Sequence, residues 1–112
     1  MVERVDTEAV HEIVRRIVDV AQPERIILFG SAARGEMTPG SDLDLLVIKS
    51  DVHRRHLAQQ IYLSLIGVGR AVDVVVVTPE DIERYRDTPG LVIAPALRDG
   101  KVIYERTSVP TR

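Results

Sequence analysis

Three aspartates and one Gly-Ser pair carry the residue types that could do chemistry in this sequence. Asp42 and Asp44 are separated by Leu43 and lead into the apolar run Leu45-Leu46-Val47-Ile48. On an extended strand, side chains at i and i+2 share a face, so the two carboxylates are expected side by side. Like charges at that separation repel and raise one pKa. A divalent cation between them removes the penalty, and Mg²⁺ suits a site of one or two carboxylates completed by water and phosphate oxygens. An isolated Asp-x-Asp is more often a polar turn running into a solvated strand position. Here the apolar neighbours read as a central strand, in which an unpaired acid is costly.

Asp73 stands inside Val72-Asp73-Val74-Val75-Val76-Val77 and poses the same question. Its partner is a cation shared with Asp42 and Asp44, or Arg70, or water at an exposed strand start. Gly30-Ser31 closes the run Arg25-Ile26-Ile27-Leu28-Phe29. Glycine lets backbone approach a ligand closely, and amides at the start of a helical turn attract phosphate. The Ser31 hydroxyl and the Arg34 guanidinium can reach the same anion. Gly-Ser alone is a common turn. Together with the acids it points to metal-assisted phosphoryl-group chemistry, which is chiefly positioning and charge neutralisation.

The elements that must position these residues follow from periodicity. Val10, Ile13, Val14, Ile17, Val18 and Ala21 recur at helical spacing, with Glu12, Arg15, Arg16 and Asp19 on the other face, predicting a helix over 7–21. Thr7 is its expected N-cap, and Pro23 stops it. Strands are predicted over 25–30, 42–48 and 71–77, the last dense in β-branched residues and so expected to be covered on both faces. Residues 30–41 read as a loop with one helical turn near Ala32–Gly35. A second helix over 52–66, capped by Asp51, should bury Leu57, Ile61 and Leu65, with Ala58, Tyr62 and Ile66 beside them, and end at Gly67 and Gly69. Thr78-Pro79-Glu80-Asp81 has the form of a helix start reaching Tyr85. A further helix is expected from Thr88-Pro89 to Arg98, irregular at Pro95, and Lys101–Glu105 reads as an edge strand. Tyr62, Tyr85 and Tyr104 read as packing residues.

The 112 residues predict one domain with its core over about 7–105 and a loose tail at 106–112. That length suffices for a single core but leaves no room for a separate acceptor-binding domain. With 15 basic against 17 acidic residues, sequence-independent DNA binding is not expected. The absence of cysteine rules out disulfides and thiolate metal sites. No apolar run approaches a membrane span, and the charged start is unlike a signal peptide, so a cytoplasmic protein is expected. His53 and His56 flank Arg54 and Arg55, and read as a solvated basic turn rather than a metal set. The short edge strand and small core make a homodimer an expected arrangement.

Gly30-Ser31, Arg34-Gly35, Ser41-Asp42-Leu43-Asp44-Leu45 and the later Asp73 resemble, in order and spacing, the signature of the DNA polymerase β-like nucleotidyltransferases, particularly the minimal nucleotidyltransferase (MNT) branch. The resemblance implies an α/β (α+β) fold, a small mixed β-sheet flanked by helices. It implies that Gly30 and Ser31, with Arg34, hold the triphosphate of a nucleoside triphosphate, ATP by family habit. It implies that Asp42 and Asp44 bind Mg²⁺, that Asp73 completes the site as ligand or base, and that pyrophosphate leaves. Many members carry a basic residue directly after Gly-Ser; here it is Ala32, which leaves Arg34 as the cation of that turn. The minimal branch is often paired with a small helical HEPN-type protein in a toxin–antitoxin system, and the resemblance extends to nucleotidyl transfer onto such a partner. The rival expectations are an antitoxin that neutralises its partner by binding alone, and a regulatory or scaffolding domain that ignores ATP.

Overall fold

The computed structural model describes residues 5–30, 33, 35 and 42–106. The order of elements is helix α1 (Val5–Ala21), strands β1 (Arg25–Phe29) and β2 (Leu43–Ile48), helix α2 (Arg54–Ser64), strand β3 (Val72–Val77), helices α3 (Pro79–Tyr85) and α4 (Ile93–Asp99), and strand β4 (Lys101–Glu105). The strands form one sheet in the order β3-β2-β1-β4. β1 runs antiparallel to both β2 and β4, whereas β2 and β3 are parallel, so the sheet is mixed, as expected. The parallel pair requires a crossover, and α2 supplies it.

Strand alternation sorts the core into two layers. Ile26, Leu28, Leu43, Leu45, Val47, Val74 and Val76 face α1 and α2, where Ile13, Ile17, Leu57 and Ile61 meet them. Ile27, Leu46, Ile48 and Val77 face the other way, against Ile93 and Ala96 of α4. β2 thus buries apolar side chains on both faces, Asp44 being its one polar residue, and among the described residues no polar or charged side chain is buried. The salt-bridged face of α1 does more than dissolve the helix. Glu12 accepts from Arg15 and Arg16, which lowers its pKa to about 2. Arg16 then donates to the carbonyls of Ser64 and Ile66, tying α1 to the open C-terminal end of α2.

Four local expectations are corrected. α1 begins at Val5, so Thr7 lies inside the first turn instead of capping it. Asp51 does not cap α2: it adopts φ 58, a left-handed bend that aspartate tolerates, and His53 becomes the N-cap, accepting from the His56 amide. Because α2 ends at Ser64, Ile66 lies beyond the helix and is 70% exposed. The helix expected from Thr88 starts only at Ile93, which puts Pro95 in the first turn, where its missing N–H has no intrahelical acceptor to lose. α3 matches its predicted limits and closes a capping box: Thr78 accepts from the Asp81 amide while the Asp81 carboxylate accepts from the Thr78 amide.

Gly100 joins α4 to β4 in the angle between α4 and β1. A Cβ there would overlap the Ala96 carbonyl oxygen, sit 2.5 Å from Ile27 Cγ2 and 3.0 Å from the Leu28 carbonyl oxygen. Gly100→Ala is therefore expected to destabilise the fold by about 1–3 kcal/mol, as overpacking of a close backbone contact does. Urea titration would register this as a lower midpoint with the slope unchanged.

Candidate functional site

The site is built where β1 ends and β2 and β3 begin. Leu43 and Val72 form the first rung of the parallel ladder, and the amide of Leu43 donates to the carbonyl of Ala71 at 3.0 Å. The next rung pairs Asp44 with Asp73. Paired residues of adjacent strands lie about 4.8 Å apart and project to the same face, so this register sets two carboxylates side by side on the α4 face of the sheet. The strand segments farther along that face, Leu46 with Val75 and Ile48 with Val77, are apolar and take part in the α4 layer. The acids therefore stand just beyond the edge of the hydrophobic layer, half in protein and half in water.

Each acid has a distinct setting. Asp44 is half-buried, while Asp42 and Asp73 are exposed. Asp42 precedes β2 rather than opening it, a one-residue correction to the expected strand. Asp73 is the second residue of β3 and meets water, so it is not a lone acid sealed inside a valine run. Burial, then the charge of Asp73, then that of Asp42 push the Asp44 carboxyl above its ordinary pKa. The three acids thus share one electrostatic field centred on Asp44.

Gly30 completes this arrangement. It has φ +78, and a Cβ placed on it would overlap Asp44 Oδ2 and lie 3.2 Å from Asp44 Cγ. The backbone at the end of β1 is therefore held against the Asp44 carboxylate, at a distance that only glycine permits. The chain then folds back: the Ala33 amide donates to the Gly30 carbonyl at 3.2 Å, and Ala33 is buried in the α1–α2 layer. Ser31 and Arg34, the other expected phosphate contacts, lie outside the described residues, as do Ala32 and Ser41.

Among the described residues, no group of three or more His, Asp or Glu side chains is drawn together into a closed metal set. The pair Asp44 and Asp73, with Asp42 close enough to act on Asp44 through its charge, instead fits an ion that takes one or two carboxylates and fills its remaining positions with water and phosphate. Hard oxygen donors, mutual repulsion and a half-buried central acid are what such a cation relieves. The chemistry the arrangement suits is transfer at a polyphosphate.

Sequence reasoning passed over one residue near the site. The Tyr62 hydroxyl accepts from the Val74 amide at 2.8 Å and donates to the Val74 carbonyl at 3.4 Å, on the outer edge of β3. Its place on the α2 stripe suggested packing alone. The basic turn at His53–His56 lies beyond the Ile48 end of β2, away from the acids, and there Arg54 pairs with Asp81 at 2.8 Å. Burial works to raise the Asp81 pKa, but hydrogen bonds from Thr78 and Arg54 outweigh it and hold the carboxyl below its ordinary value. No helix among the described residues is long and apolar enough to cross a membrane.

The family model for the nucleotidyltransferase domain matches residues 8–103. A protein of Methanocaldococcus jannaschii named "Putative protein adenylyltransferase" is 37% identical over 87 residues, covering 72% of this chain and 58% of that protein. The chain thus spans little more than half the length of that curated relative. Among solved structures, a "putative nucleotidyltransferase" from Sulfolobus solfataricus matches with a TM-score of 0.59 at 20% identity, over 88% of this chain and 79% of that one. A toxin–antitoxin structure with AMP-PNP matches with a TM-score of 0.59 at 24% identity, over 86% and 73%. A mutant of the toxin–antitoxin MntA–HpeT matches at 0.56 and 21% identity, over 86% and 72%. At these identities the structural likeness establishes the fold.

Proposed function

The chain belongs to the nucleotidyltransferase domain family, and from that premise we propose that it transfers AMP from ATP, with Mg²⁺, to a hydroxyl on a protein acceptor. The observation that carries this reading is the rung that sets Asp44 beside Asp73, with the Gly30 backbone packed on Asp44. The name of the M. jannaschii relative supports a protein acceptor. The AMP-PNP bound to one structural neighbour supports an adenine nucleotide. A further neighbour, the MntA–HpeT mutant, carries two aspartate-to-glutamate substitutions two residues apart, the spacing of Asp42 and Asp44 here.

In the proposed reaction the acceptor oxygen forms a bond to the α-phosphorus. The bond from that phosphorus to the oxygen bridging the β-phosphate breaks, and pyrophosphate leaves. Asp42 and Asp44 would hold Mg²⁺, and Asp73 would complete the site as a further ligand or take the proton of the acceptor hydroxyl. The backbone at Gly30, the Ser31 hydroxyl and the Arg34 guanidinium would receive the phosphates. Mg²⁺ bound there supplies charge neutralisation on the phosphate oxygens. The acceptor we favour is a cytoplasmic helical protein of the HEPN type, with this chain as the antitoxin of the pair.

The test is to incubate the protein with Mg²⁺, ATP labelled on its α-phosphate and lysate of the source cell, beside an Asp44→Ala control. A labelled protein band that requires Asp44 is expected. No band, together with no ATP binding by calorimetry, would favour the antitoxin that acts by contact alone.

A further inference from the structure

We infer that Tyr62 is a positioning residue for Asp73, latching the edge strand β3 so that Asp73 stays in register with Asp44. β3 is a terminal strand of the sheet, paired with β2 on one side. Among the described residues, no strand receives the backbone groups on its outer side. At Val74 both groups are taken by one side-chain atom: the Tyr62 hydroxyl accepts the amide proton at 2.8 Å and donates to the carbonyl at 3.4 Å. That amide belongs to the peptide unit immediately following the Cα of Asp73. The hydroxyl therefore restrains the backbone turn that aims the Asp73 carboxylate, on the side of the strand opposite the β2 ladder.

The alternative explanation, that Tyr62 only packs, fits its surroundings poorly. Tyr62 is 43% exposed, and its neighbour Leu63 on α2 is 68% exposed. The α2 residues that fill the core are Leu57 and Ile61. What Tyr62 adds beyond partial cover is the hydroxyl, and the hydroxyl reaches the strand that carries the third acid. The inference rests on the proposed role of the aspartates in holding Mg²⁺, so its test reads that role separately from nucleotidyl transfer.

Tyr62→Phe removes the hydroxyl and keeps the ring, and the site's exposure makes a folded variant the expected product. The readouts are hydrogen exchange at the Val74 amide, the Mg²⁺ concentration that half-saturates the amide shift of Asp73, and kcat against KM for ATP. Faster exchange at Val74, a half-saturating Mg²⁺ concentration raised about threefold to tenfold, and a fall in kcat with KM for ATP unchanged are expected for loss of such a hydrogen bond. An unchanged Mg²⁺ response in the variant, or no response in the native protein, would overturn the inference. A native protein that responds to Mg²⁺ but transfers no nucleotide would sink the proposed function, and the Mg²⁺ midpoints of the two proteins would still decide the role of Tyr62.

Discussion

Asp44→Asn is expected to lose nucleotidyl transfer by about 100-fold or more while melting at a higher temperature than the native protein at neutral pH without divalent cations. The two effects have one cause. Asp44 carries a raised pKa through burial first, then through Asp73 and Asp42. An acid whose pKa is raised by folding contributes its stability below the unfolded value, here 3.8, and loses it as pH rises through the folded value. At neutral pH the native protein therefore holds an ionised group that the fold disfavours, and the neutral amide removes that strain. In phosphoryl transfer, charge placed for the cation and the phosphates supplies most of the acceleration, and deleting one such group costs on the order of 100-fold to 1000-fold. Three measurements check the prediction. The melting-temperature gain of the variant should shrink as pH falls towards 3.8. Mg²⁺ should raise the melting temperature of the native protein, by mass action on the folded state, and raise that of the variant far less. Labelled-ATP transfer should fall by about 100-fold or more in the variant. A variant that melts below the native protein at neutral pH would mean that Asp44 is structural rather than poised for a cation.

Much of this site was legible because its signals were local. Asp42-Leu43-Asp44 announces a shared face, and the apolar residues after it announce a buried strand; the structure adds that Asp42 lies one residue outside that strand. Thr78-Pro79-Glu80-Asp81 states its helix start outright, since every part of a capping box lies within four residues. What could not be read is what depends on register and turn geometry. The pairing of Asp44 with Asp73 follows from the crossover through α2, which composition cannot phase. Asp51 looked like a cap because it is an aspartate before a helix, but its positive φ turns the chain and leaves the capping to His53. Tyr62 looked like one more residue on a stripe because its hydrogen-bond partner lies on a strand formed later in the chain. Gly30 was expected to free the backbone for a phosphate; that it faces a carboxylate on the next strand depends on how the end of β1 packs against β2.

That contact gives the second large effect. Gly30→Ala is expected to abolish transfer and, unlike Asp44→Asn, to lower stability, by about 1–3 kcal/mol. Two terms contribute. The backbone at φ +78 strains any residue with a Cβ, and the new methyl would overlap Asp44 Oδ2. To relieve the overlap, either the Asp44 side chain must rotate away from Asp73 or the end of β1 must lift from β2, and each disperses the acids. The terms can be separated in a double-mutant cycle. Asp44→Ala removes the carboxylate that the methyl would strike, leaving only the backbone cost, so Gly30→Ala should destabilise the Asp44→Ala protein clearly less than it destabilises the native one. Equal costs in the two backgrounds would place the whole effect in the backbone and deny any coupling between Gly30 and Asp44. Coupling of the expected sign would establish in solution that the end of β1 and the acid of β2 are fitted to each other, the arrangement on which a shared metal and phosphate site at this end of the sheet depends.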